Sequence, residues 1–386
     1  MSRRSGLLQD KDVNSTMLSV KLTRKKASQC NRRKSKLTVT KVQMHTTEGQ
    51  CLSVSDGPSI LSETPHKELE VARSLSEFRN LKTSPLPCLS WGSSDDVWIK
   101  MLNKDLKYIH DKSFMKQNPN LQPKMRSILL DWLLEVSEEF SFHRETFYLA
   151  QDYFDRFMMT QDCVDKNCLQ LIGITALFIA SKVEEIYPPK LQDFAYLTDG
   201  SCLVDEIKLM ELIMLKALNW EIRPETVISW LKLYIQVASL KDDPNILVPQ
   251  FSQKTYIQIA QLLDLCILDI NSLDYQYGVL AAAALSHFTS FEVAQNASGL
   301  RQDILAKCVS WMTPFMKTIS ESACEQVKDF TQVAREDGYN IQTHVDYLTM
   351  LTDAQQRQLE SMNRLSPVPR STILTPPKST EKPSSH

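Results

Sequence analysis

Glycine is scarce in this chain, with nine in 386 residues. Loops that cradle phosphates need residues without a Cβ, so the shortage argues against a glycine-looped α/β enzyme and favours helices. Histidine is also sparse, at seven, and the nine cysteines form no CxxC and no Cys/His pair at zinc spacing. Free, reduced cysteines are expected, with Cys266 and Cys308 packing as small hydrophobes in apolar helical runs. No metal and no cofactor is expected. No apolar run approaches the roughly 18 residues that a membrane span needs. The opening "MSRRSGLLQDKDV" lacks the apolar centre of a secretory signal, and no membrane partner is expected. A P-loop, GxSxG, HExxH and the kinase signatures are all missing. His110, His143 and His287 are read as the histidines of the folded region, and His287 as a hydrogen-bonded core residue. The acid pairs Glu138-Glu139 and Glu184-Glu185 are read as solvated faces. The sequence therefore argues against an enzyme, with no catalytic residue, and function must lie in surfaces.

What is present begins with uneven charge. Residues 1–50 carry 12 Lys or Arg against 3 Asp or Glu, a balance of +9; the whole chain is −2, so the remainder is −11. A basic arm on an acidic body reads as an address or a nucleic-acid tail rather than a DNA-binding fold, and with function assigned to protein surfaces no direct nucleic-acid partner is expected. "RKKASQCNRRKSK" (24–36) holds two basic clusters and suggests nuclear entry. Residues 1–88 are rich in Ser, Thr and Lys without sustained period and are expected to be a disordered regulatory tail.

From residue 89 the pattern turns helical. Residues 89–122 hold an N-terminal helix capped by Ser94 or Asp95, with an apolar stripe of Val97, Met101 and Leu102 and Trp98 beside it. Two series follow, with helices expected at 123–140, 144–160, 166–183, 190–197 and 204–218, then at 225–238, 254–269, 276–289, 291–297 and 302–319. Breaks fall at Tyr187-Pro188-Pro189, Asp199-Gly200, Arg223-Pro224 and Asp243-Pro244. Each series opens with a Trp-bearing helix ("ILLDWLLEV", "VISWLKLYI") and has a small-residue third helix ("LIGITALFIASK", "YGVLAAAALSHF") expected at its centre. The fold class is all-α: two tandem five-helix bundles, 123–222 and 223–320, an extra N-terminal helix, and a 321–386 segment with one helix near 341–363 and a disordered Pro/Ser/Thr-rich end.

"PKMRSILLDWLLEVSEEF" (123–140) poses a local puzzle. Met125, Leu129, Trp132, Val136 and Phe140 form one stripe, yet Leu130, Leu133 and Leu134 lie off it, and Arg126 sits inside the apolar run. "MRSILLDWL", "DRF" (155–157), "LQLIGITALFIASKVEEIYPP" and "LMELIMLKALNWE" (209–221) resemble, in order, the signature of the cyclin box, and the resemblance runs over roughly 89–365. Within the cyclins, "SPLPCLSWGSSDDVWIKML", "HRETFYLAQDYFDRFM" and "LTPPKSTEKP" are similar to the E-type G1/S group.

The resemblance implies a regulatory subunit that binds and activates a G1/S-type cyclin-dependent kinase. It makes Arg126 and Asp155 an internal ion pair. It makes Lys182 and Glu211, with Val183, Leu215 and Trp220, the surface that grips the kinase. It makes Met125, Ile128, Leu129, Trp132, Glu135, Leu169 and Gln170 a patch that docks Arg-x-Leu segments of substrates and inhibitors. "TPPK" at Thr375 and "TPHK" at Thr64 fit cyclin-dependent kinase sites, and Ser366-Pro367 and Ser84-Pro85 are minimal ones. "ILTPPKS", with Ser379 four residues after Thr375, is similar to a phosphodegron read by an SCF ubiquitin ligase through a WD40 receptor; Glu68 stands at the matching place after Thr64. The implied location is nuclear. Ser90 and Trp91 of "SWGS" also match part of a proposed centrosome signal. A cyclin-like transcription scaffold is the alternative, and it would need a basic folded body.

Overall fold

The computed structural model describes residues 84–365, apart from 109, 241–250, 323–329, 331, 332 and 335. The basic clusters at 24–36 and the sites at Thr64, Ser366, Thr375 and Ser379 lie outside the described residues. Ser84-Pro85 lies inside them: the Ser84 N–H donates to Asp95 Oδ1 at 3.0 Å.

Helix α1 (Ser94–Asp105) is capped one residue earlier than expected, because Ser93 Oγ accepts the Asp96 N–H at 3.3 Å. Its buried face is Trp98 and Leu102, not Val97 and Met101. Trp98 meets Trp230 edge-on, with ring centroids 5.7 Å apart. After the short α2 (Phe114–Gln117) come α3 (Pro123–Glu139), α4 (Arg144–Met158), α5 (Leu169–Glu184), α6 (Leu191–Leu197) and α7 (Val204–Ala217). The second series is α8 (Val227–Ser239), α9 (Gln253–Leu268), α10 (Tyr277–Phe288), α11 (Phe291–Ser298) and α12 (Gln302–Glu321), followed by α13 (Tyr347–Leu365). Among the described residues there are no strands, only isolated bridges.

The two bundles form as their apolar patterns demand. In α3 the buried face is wider than the simple stripe: Leu129 and Val136 of that stripe are buried, and so are Leu130, Leu133 and Leu134 beside it, while Ile128 is 46% exposed. Helix α5 packs on α3, α4, α6 and α7, and α10 packs on α8, α9, α11 and α12. Small residues permit this: Ala281 to Ala284 are wholly buried, and a Cβ on Gly173 would lie 2.8 Å from Leu129 Cδ1. One helical stretch, 166–184, is long and apolar enough to cross a membrane, contrary to the expectation that none approaches that length. Most of it is buried in the fold, where a core helix belongs.

Charged groups line the seam between the bundles. Arg126 grips Asp155 with Nε and Nη2, each at 2.7 Å, and its Nη1 donates to the Ile267 carbonyl of α9 at 2.8 Å. A lone buried arginine would cost several kcal/mol, so each of its faces needs a partner. Arg144 Nη1 meets Asp264 at 2.8 Å, and Tyr148, Gln342 and Tyr347 also donate to that carboxylate. The stretch 341–346 is not the start of a helix as expected. It straps the first bundle: the Gln342 N–H donates to the Phe142 carbonyl at 2.8 Å, and His344 Nε2 lies 3.0 Å from Asp131 of α3. His344 therefore joins the folded histidines. Glu138 accepts the His344 N–H, and Glu185 accepts from His143 and Thr146, so neither acid is merely solvated. His287 is not fully hydrogen-bonded, since its Nε2 is buried without a partner.

Candidate docking groove and partner surface

The groove is built where α3 begins and α5 begins. Pro123 starts α3 with its φ already helical. The turn Lys166–Cys168 is fixed by Asp165, whose Oδ1 accepts the Asn167 N–H at 2.9 Å. Between them opens a cavity of about 400 Å³ lined by Met125, Ile128, Leu129, Trp132, Leu169 and Gln170, with Lys166 and Asn167. Leu129 and Leu169 form a buried floor, while Ile128 stays exposed and Met125 and Trp132 are half-buried. Glu135 is exposed on the next turn of α3 and is not part of the lining. Sequence reading missed Lys166 and Asn167, although their place just ahead of Leu169 was the available signal.

The second surface lies on α5 and α7. Lys182 Nζ pairs directly with Glu211 and sits 4.2 Å from the centre of the Phe178 ring. Val183 is half-buried and Leu215 is buried, so Leu215 supports the surface from beneath. Trp220 is 62% exposed. It follows α7 on a left-handed turn, Asn219 at φ 52° and Trp220 at φ 59°, and its N–H closes the helix on the Leu215 carbonyl. Around the ion pair stand exposed apolar side chains that the expected set lacked: Leu209, Leu212 and Ile213 on α7, and Ile186 and Tyr187 after α5. Their 209, 212, 213 spacing is a second helical face, which is the signal that could have found them.

Beside this surface is a cluster of ionisable groups. Burial pushes Glu145 up to about 7, although Thr226 donates to it at 2.7 Å. Burial also lowers Lys232. The Glu185 hydrogen bond raises His143 above its ordinary value. Each group is structural in position: Thr226 caps α8 with its side chain, and His143 stands at the start of α4 with its N–H and ring held by Glu185. Among the described residues no cluster of three His, Cys, Asp or Glu could hold a metal ion.

Two family models cover most of this architecture: "Cyclin, N-terminal domain" matches residues 96–223 and "Cyclin, C-terminal domain" matches 225–347. The chain belongs to the cyclin family. Similar curated relatives include the G1/S-specific cyclin-E1 of Gallus gallus, 52% identical over 86% of this chain and 83% of that protein. The G1/S-specific cyclin-E of Hemicentrotus pulcherrimus is 39% identical over 99% of both. Among solved structures, the X-ray structure of a viral cyclin from herpesvirus saimiri is similar, with a TM-score of 0.49 and 18% identity over 58% of this chain and 96% of that one. This cyclin groups with the G1/S-specific E-type members, as a cell-cycle regulator rather than an enzyme. Membership implies a cyclin-dependent kinase as partner.

Proposed function

We propose that this cyclin binds and activates a G1/S-type cyclin-dependent kinase through the α5–α7 surface and docks Arg-x-Leu substrates and inhibitors in the α3–α5 groove. The observation that carries the first part is the half-exposed Lys182–Glu211 pair set among exposed apolar side chains. A surface ion pair alone contributes little to stability. Surrounded by apolar groups left facing solvent, it has the make-up of an interface. A kinase needs its strand lysine paired with its C-helix glutamate and its activation loop ordered. Binding energy given only to that conformation shifts the kinase population towards it, and no catalytic residue is required on this chain.

The test is a pull-down with a purified monomeric cyclin-dependent kinase, followed by histone phosphorylation. Lys182→Ala with Glu211→Ala is expected to lose most binding and activation. Unchanged affinity in a folded double variant would discard this surface.

The groove suits an extended peptide. Its apolar floor takes a leucine, and exposed Glu135 on the adjoining turn meets a basic residue. The Thr-Pro sites fit control by phosphorylation and removal by an SCF ligase with a WD40 receptor, since two phosphates at Thr375 and Ser379 suit an arginine cluster. Thr375→Ala is expected to lengthen the protein's half-life in cells, and an unaltered half-life would remove that reading. The basic clusters at 24–36 support nuclear entry. A variant neutralised there is expected to stay outside the nucleus by microscopy, and undiminished nuclear signal would refute it.

A further inference from the structure

We propose that the groove is filled in the full chain by the chain's own segment Arg73-Ser74-Leu75, which competes with external Arg-x-Leu peptides; this rests on the docking function given above. Arg-x-Leu occurs three times in the sequence, at 73–75, 79–81 and 357–359. The third is locked in α13, where Arg357 pairs with Glu321 at 2.9 Å. Residues i and i+2 do not share a helix face, so that copy cannot present both side chains together.

Tether length and charge distinguish the other two, and charge favours the first. Ser84 is tied to the start of α1 through Asp95, and α1 packs on α8 through Trp98 and Trp230, not on the groove. From Ser84 the three residues back to Leu81 span at most about 10 Å, whereas the nine back to Leu75 span about 30 Å. In an extended segment Arg73, Leu75 and Glu77 share one face. That sequence of charges matches the groove. Arg73 meets Glu135, Leu75 enters the apolar floor, and Glu77 meets Lys166, which lines the cavity. The 79–81 copy has Thr83 where Glu77 stands in the first, so Lys166 would gain no partner. The cavity of about 400 Å³ also exceeds the needs of one leucine, and Phe78 follows within three residues.

A tether this short gives an effective concentration on the order of millimolar. An external peptide then binds only the fraction of chains whose groove is open, and its apparent affinity falls by that fraction. The experiment titrates the full chain with a fluorescent ten-residue Arg-x-Leu peptide and reads polarisation. Arg73→Ala with Leu75→Ala is expected to tighten binding about tenfold or more, and Glu77→Lys to tighten it less. Equal affinity in wild type and double variant overturns self-docking while leaving the docking function standing. A folded chain that binds no peptide in either form, or binds it equally well after Trp132→Ala, overturns the docking function and the proposal with it. Release by Arg79→Ala with Leu81→Ala alone overturns the choice of segment. A block that strengthens with chain concentration assigns the segment to a second copy and overturns the tethered form.

Discussion

Glu145 shows how one carboxyl couples the folded state to pH. Its ordinary value of 4.5 rises to about 7 on folding, chiefly through burial. Between those values the folded protein holds a proton that the unfolded chain has released. Stability contributed by this group is therefore greatest below pH 4.5, falls through that window, and levels off above about 7. Glu145→Gln keeps an oxygen for the Thr226 hydroxyl but removes the charge. It is expected to raise Tm at pH 7.5 by roughly 2–4 °C or more, for about 1 kcal/mol or more at this largely buried group. Near pH 4.5 the variant and wild type should melt together. A difference between them that is constant across the window would refute the assignment. Lys232 and Glu184, which also feel Glu145, do not change the sign, because the variant isolates one carboxyl.

At the scale of the element, the helices were largely readable. Apolar spacing together with Pro123, Pro188-Pro189, Gly200 and Pro224 set most ends to within two residues, because these are local backbone effects. The groove residues on α3 and α5 were legible only through the cyclin resemblance, since spacing alone makes Met125, Leu129 and Trp132 ordinary core. What stayed hidden was long-range. Asp264 finds Arg144 across 120 positions, and the 341–346 strap bonds to Phe142, so no local pattern announces either. One element contact has a measurable consequence. Gly173 lets α5 lie against Leu129, and a methyl group there must push Leu129, which lines the open groove. Gly173→Ala is expected to cost about 1 kcal/mol in denaturant unfolding and to weaken Arg-x-Leu peptide binding several-fold while sparing kinase binding. Peptide affinity that survives intact would mean that Leu129 does not form the floor.

For the whole molecule, the strap and the two buried arginines decide cooperativity. A chain ending before Gly338 would lack Gln342 and Tyr347, two of the donors to Asp264, and the His344–Asp131 contact. Such a truncation is expected to lose about 3 kcal/mol or more, because buried charge is left short of partners. It should also split one calorimetric transition into two. A single transition with unchanged Tm would show that the strap is dispensable. Arg126 carries the matter further. The same guanidinium neutralises an aspartate in the first bundle and caps a carbonyl of the second. The two matched domains meet between residues 223 and 225. Energetically that junction is no cleavage plane: severed there, neither half inherits a finished surface, and the two bundles stand as one indivisible unit rather than two exchangeable parts.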